Sequence, residues 1–86
     1  MAITRVEAAE GISTLVMDDG KVNAFDVPFF DELDARLDDC SDDAAVIIAG
    51  RPGMFSAGLN MKVIQALDDD GVAELLARFG DTMLRL

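Results

Sequence analysis

From Gly50 to Met61 the chain reads Gly-Arg-Pro-Gly-Met-Phe-Ser-Ala-Gly-Leu-Asn-Met, and Lys62 follows. Its chemistry would be done by the backbone. Gly53 and Gly58 supply conformational freedom, and Ser56 and Ala57 put no bulk in the way. A short apolar run precedes the loop and a short helical pattern follows it. Strand, glycine-bearing loop and helix start together bring bare N–H groups up to a ligand oxygen. A phosphate is the first ligand to consider. Gly53 and Gly58 have P-loop spacing, but Leu59 and Asn60 stand where the lysine and hydroxyl should follow. The phosphate-reaching cation and the magnesium ligand are therefore missing. No Gly-x-Gly-x-x-Gly occurs, so a dinucleotide fingerprint is excluded as well. What remains suits a single developing negative charge, such as a thioester oxygen becoming an enolate.

Side-chain chemistry is sparse. The chain has no His and no Tyr, so no Ser-His or Cys-His pair can form within it. Cys40 is the only cysteine, which excludes an internal disulfide, and its place at a helix end reads as packing. The carboxylates fall in runs at turns and helix ends: Asp18-Asp19, Asp38-Asp39, Asp42-Asp43 and Asp68-Asp69-Asp70. The triplet reads as a solvated turn that caps the next helix, and no metal site is expected. The net charge of −10 argues against nucleic acid and against anionic membranes. Any polyanionic ligand would need local cations. Near the loop these are Lys21, Arg51 and Lys62.

The positioning elements follow from periodicity. Ile3 to Ala8 reads as a first strand, Gly11 as a turn, and Ile12 to Met17 as a second, mostly buried strand. Asp18-Asp19-Gly20 turns the chain. Asp26 is a good N-cap, with Pro28 just inside a helix that runs to about Asp39. Phe30, Leu33, Leu37 and Cys40 form its apolar stripe. Ala45 to Ala49 reads as a buried third strand, and Met61 to Leu67 as a short helix. A last helix, capped by Asp70, would bury Val72, Leu75, Leu76, Phe79, Met83 and Leu86. Glu32 with Arg36, Glu74 with Arg78, and Asp81 with Arg85 are spaced as outward ion pairs. Phe55 and Met61 are expected in the core.

Phe55-Ser56-Ala57-Gly58-Leu59-Asn60-Met61-Lys62 resembles the signature loop of the crotonase, or enoyl-CoA hydratase/isomerase, family. Lys21-Val22-Asn23-Ala24-Phe25 resembles the family's Lys-x-Asn-Ala-Leu-like segment, in the matching order ahead of a helix. The resemblance implies a mixed α/β fold, the N-terminal part of a crotonase-like ββα spiral, with residues 1–86 as part of one domain. It implies a coenzyme A thioester as ligand, with coenzyme A belonging to the substrate and no separate cofactor. The amide of Leu59 would be the first oxyanion donor. Val22, Ala24, Ala57, Gly58, Leu59, Asn60 and Lys62 would border the substrate, a loop carbonyl near Ala57 would meet the adenine amino group, and Lys62 could approach a phosphate. The family's second oxyanion donor and its acid/base carboxylates match nothing here. Leu59 stands where many hydratases have a smaller residue, and Asn60 where Asp is common.

At 86 residues the chain is at most one small domain, burying roughly 60% of its unfolded surface. Yet 51% of it is hydrophobic, and Thr82 to Leu86 ends in mid-pattern. The expectation is a piece of a larger assembly, inactive alone, packed against the remainder of a crotonase domain. By resemblance the whole would be a homo-trimer or hexamer. No apolar run approaches the ~20 residues of a membrane span, the N-terminus lacks signal-peptide character, and the cytoplasm is the default compartment. Two classes of function stand: part of an acyl-CoA hydratase or isomerase, and a non-catalytic acyl-CoA-binding or interaction module. An unrelated small α/β protein is the third reading.

Overall fold

The computed structural model describes residues 2–7 and 9–86, and the backbone but not the side chain of Ala9. The last residue expected in the first strand, Ala8, lies outside the described residues. Strand β1 (Ile3–Glu7) and strand β2 (Ile12–Met17) are joined through a 3-10 turn (Ala9–Gly11). They pair antiparallel, with Ile3 opposite Met17 and Glu7 opposite Ser13. Helix α1 (Val27–Asp39) then crosses over to strand β3 (Ala45–Ala49), which lies parallel to β2 with Leu15 opposite Ile48. The sheet order is β1-β2-β3. Helix α2 (Met61–Ala66) and helix α3 (Asp69–Arg85) follow the loop.

Alternation decides the faces. Ile3, Ser13, Leu15 and Met17 are buried on the face that receives α1. The other face carries Val6 and Ile47, which are 51% and 52% exposed. Strand β3 is an edge strand flanked, among the described residues, by β2 alone, and it is half-buried where a buried strand was expected: Val46 and Ile48 pack against the core, while Ala45 and Ile47 are exposed. The radius of gyration, 13.6 Å, exceeds the ~12 Å of a compact chain of this length, in keeping with extents of 45 × 25 × 18 Å.

The core lies between β2, α1 and α3. Asp26 caps α1 by accepting the Phe29 N–H at 2.9 Å, and Pro28 sits in the first turn, where its missing N–H costs nothing. Phe29, Phe30 and Leu33 are buried. The rings of Phe25 and Phe30 lie 5.3 Å apart, and Phe30 meets Phe79 of α3 edge-on at 5.6 Å. Cys40 is buried and free, as a packing residue should be.

Helix α3 departs from expectation in three ways. Its N-cap is Asp68, which accepts the Gly71 N–H at 2.7 Å, and Asp70 lies inside the first turn. Leu76 and Leu86 are exposed, while Thr82 is buried. The arginines do not pair along their own helix. Arg78 reaches across to Asp31 and Asp34, and Arg85 to Asp34 and Asp38. Thr82 Oγ1 donates to Asp34 at 3.3 Å. An aspartate ladder on α1 is a better partner than a same-helix acid because it also docks the helix. Likewise Glu32 does not pair with Arg36. It accepts the N–H groups of Ala2 and Ile3, and Arg36 pairs with Asp39 at 3.1 Å.

Candidate functional site

The segments 18–25 and 50–60 are far apart in sequence and laced together in space. Gly50 begins the loop in a place closed to any side chain, since a Cβ there would lie 2.4 Å from Phe55 Cα. Arg51 and Met54 exchange two backbone hydrogen bonds of 2.9 Å around Pro52-Gly53. With Gly53 at φ +75, this has the pattern of a type II turn. From here the chain runs beside residues 22–25. Ala57 N–H donates to Val22 O at 2.8 Å, Phe25 N–H to Gly58 O at 2.6 Å, and Asn60 N–H to Phe25 O at 2.8 Å. Phe25 and Leu59 thus form a parallel bridge.

That bridge fixes where each loop amide points. The Ala57 and Asn60 amides are spent on the neighbouring segment, and Gly58 N–H donates to Ser56 Oγ at 2.9 Å. The Leu59 N–H has no hydrogen-bond partner among the described residues. The Gly58–Leu59 peptide is planar and trans, so its N–H points opposite to its carbonyl. The carbonyl is held on Phe25; the N–H is therefore turned away from Phe25. Gly58 sits at φ +85, which an L side chain would resist.

Beside Leu59 lies a cleft of about 380 Å³ lined by Asp19, Lys21, Val22, Ala24, Ala57, Leu59, Asn60, Met61 and Lys62. Of the residues expected at the site, Val22, Ala24, Ala57, Leu59, Asn60 and Lys62 line this cleft, while Gly58 does not line it and instead holds Phe25 through its carbonyl. Asn60 also caps α2, accepting the Val63 N–H at 3.3 Å. Arg51 is spent elsewhere. It pairs with Asp18 at 3.1 Å and donates to the Lys21 carbonyl. Lys21 and Lys62 form no ion pair among the described residues and remain as the cleft's cations. A neighbouring hollow of about 360 Å³ shares Asp19, Lys21, Ala24 and Asn60 but adds Asp26 and Glu32, a lining that repels phosphate. Phe55 and Met61, expected in the core, are 55% and 61% exposed. Phe55 stands over a smaller apolar hollow with Ile48 and Met83, and Met61 lines the cleft.

Asn23 was legible as a motif residue but not as the hub it is. It is wholly buried and left-handed, at φ +51. Its Nδ2 donates to Met17 O at 2.8 Å and Phe55 O at 3.0 Å, and its Oδ1 accepts the Asp19 N–H at 3.0 Å. Ser56 Oγ donates to the Asn23 carbonyl at 2.7 Å. The available signals were the asparagine tolerance for positive φ and a serine hydroxyl two residues before a glycine amide. Hydrogen bonds from Ser13 and then Arg5 hold the Asp43 carboxyl below its ordinary range, and bonding to Asp31 above all raises Arg78.

The unit is mixed α/β, and the Leu59 amide lies beside the cleft without a partner among the described residues. The sequence model of the enoyl-CoA hydratase/isomerase family matches residues 7–83, and the chain belongs to that family. The fold is similar to that of the probable enoyl-CoA hydratase EchA3 of Mycobacterium tuberculosis H37Rv, with 28% identity and a TM-score of 0.81 over 91% of this chain and 34% of that one. EchA3 of Mycobacterium ulcerans Agy99 gives 25% identity and a TM-score of 0.77, over 91% and 35%. An apo structure described as the M. tuberculosis enoyl-CoA isomerase gives 26% and 0.82, over 94% and 35%. The chain thus spans about a third of the length of these proteins. No curated protein sequence matches it. Among the described residues no helix is long and apolar enough to cross a membrane, and no metal-holding cluster of His, Cys, Asp and Glu occurs.

Proposed function

We propose that this chain supplies part of an acyl-CoA site of the enoyl-CoA hydratase/isomerase type, in which the Leu59 N–H donates to the thioester oxygen and stabilises it as an enolate. The observation that carries this reading is the Leu59 amide, left without a partner beside the cleft while its neighbours are bonded. Such an amide is fixed before charge develops, so it strengthens without reorganisation, and removing one donor of this kind typically costs about 10²–10³ in rate. Val22, Ala24, Ala57, Gly58 and Asn60 border the coenzyme A moiety through backbone and small side chains. Lys21 and Lys62 offset its phosphates against a chain of net charge −10. The remainder of the domain would bring the second donor and the acid/base carboxylates, and the assembly would be a trimer or hexamer.

A second reading, binding without turnover, is favoured by one feature. Among the described residues Asp19 is the cleft's only lining carboxylate, and its Oδ1 already accepts the N–H groups of Lys21 and Asn23 at 2.7 and 3.1 Å. It is occupied with holding the turn. The test is an amide NMR titration with a short enoyl-CoA, followed by the ultraviolet signal of the conjugated thioester. The expected result is a downfield shift of the Leu59 proton and, for the 86-residue chain alone, an unchanged ultraviolet signal. A Leu59 proton that does not move under saturating thioester would overturn the reading.

A further inference from the structure

The geometry points to Asn23, acting through Ser56, as the positioning residue that aims the Leu59 N–H into the cleft; this rests on the acyl-thioester reading of the site. The chain of cause is short. The left-handed backbone of Asn23 lets two successive carbonyls, of Val22 and Asn23, accept from Ala57 N–H and Ser56 Oγ at 2.8 and 2.7 Å. Two residues later the same segment presents the Phe25 N–H to Gly58 O. That carbonyl fixes one end of the Gly58–Leu59 peptide plane and therefore the direction of the N–H at its other end. The Asn23 side chain locks the arrangement from below by joining the end of β2, through Met17 O, to the signature loop, through Phe55 O. Ser56 locks it from the side, since one hydroxyl donates to Asn23 and accepts from Gly58.

No atom of Asn23 or Ser56 needs to touch substrate for this role. A purely structural role would weaken every ligand alike. A positioning role removes only the part of affinity that comes from the thioester oxygen. The experiment compares the 86-residue chain with Ser56→Ala, Ser56→Thr and Asn23→Gly. Glycine keeps the backbone free to adopt positive φ and deletes the amide clamp. The first readout needs no ligand: backbone N–H dipolar couplings report the direction of the Leu59 bond. The expected result is that Ser56→Ala and Asn23→Gly rotate or average it, and Ser56→Thr restores it. The second readout is affinity for a short acyl-CoA thioester against the matching thioether, which lacks the carbonyl oxygen. The native chain should prefer the thioester by about tenfold, the scale of one good hydrogen bond. That preference should fall to near one in Ser56→Ala, with thioether affinity unchanged, and return in Ser56→Thr.

An unchanged Leu59 direction in Ser56→Ala and Asn23→Gly would overturn the proposal whatever the ligands do. A parallel loss of thioester and thioether affinity would overturn it too, in favour of a general structural role. If the native chain binds neither compound while the couplings change as expected, the acyl-thioester reading fails and the positioning of Leu59 stands. Should Asn23→Gly not fold, the Ser56 pair decides alone.

Discussion

The body around Phe30 and the clamp around Asn23 both centre on a wholly buried residue, but they are held by different forces. In the body, the rings of Phe25, Phe29, Phe30 and Phe79 fill the space between the sheet and two helices, and ion pairs close the rim. In the clamp, nearly every tie involves backbone: Val22, Phe25, Ala57, Gly58 and Asn60 meet through main-chain atoms. The body therefore depends on side-chain volume and is indifferent to small changes of backbone. The clamp depends on where a chain can bend, and its ties to Leu59 are made by main-chain atoms. A site built this way keeps its geometry while the residues that display it vary.

The largest effect is expected in the body. Phe30→Ala deletes the ring at its centre and should cost ~3–5 kcal/mol, which in a chain this small amounts to loss of the fold by thermal or urea melting. A variant that melts within a few degrees of the native chain would show the aromatic cluster to be incidental. Gly50→Ala probes the clamp with a single methyl. Its Cβ would meet Phe55 Cα at 2.4 Å and Met54 O at 2.6 Å, backbone that cannot yield without opening the Arg51–Met54 turn. The expected cost is ~1–3 kcal/mol, with at least a tenfold loss of thioester binding while helical circular dichroism persists. Equal loss of helix and binding would erase the distinction between the two regions.

The body was largely legible in the sequence and the clamp was not. Periodicity carries the body: strand alternation from Ile12 to Met17 and the helical stripe through Phe30, Leu33 and Leu37 depend only on local spacing. It failed where a distant partner competes with a near one. Arg78 has a same-helix acid in Glu74 but sits between Asp31 and Asp34, and no i,i+4 rule contains that choice. Strand β3 was expected to be buried because Val46-Ile47-Ile48 is apolar; Val46 and Ile48 do pack on the core, but Ile47 points to the uncovered face, and only the neighbours decide that. Phe55 and Met61 were misassigned for the same reason. At the site, the loop, its glycines and the Leu59 amide were readable as a motif. The hydrogen bonds that tie the loop to residues 22–25 join positions more than thirty apart, and spacing alone does not show them.

A mid-sized effect tests the ionic rim. Asp34 accepts from Arg78 at 3.2 Å and from Thr82 at 3.3 Å, with Arg85 at 3.7 Å. Asp34→Asn keeps its shape and removes its charge. The expected cost is about 1 kcal/mol, because the group is partly exposed and screened. Molar salt should reduce the gap between variant and native chain in a melt. A gap that salt leaves untouched would assign the stabilisation to shape and to the Thr82 hydrogen bond.

The smallest expected effect is a pH slope confined to the body. Asp43 joins the α1–β3 connection to the sheet through Arg5, at 3.0 Å, and Ser13. Its folded carboxyl titrates below the ordinary aspartate value of 3.8. The unfolded chain therefore binds that proton more readily, and stability rises with pH wherever it does so. The contribution is complete above the ordinary value and is lost as pH falls through the folded one. Asp43→Asn should flatten the acid limb of stability against pH and leave the neutral region nearly parallel to the native curve. The Leu59 amide shift, read at neutral pH with saturating thioester, should match that of the native chain, because Asp43 takes no part in the clamp. A change in that shift would mean that the two regions are coupled through β2, whose Ser13 end meets Asp43 and whose Met17 end meets Asn23.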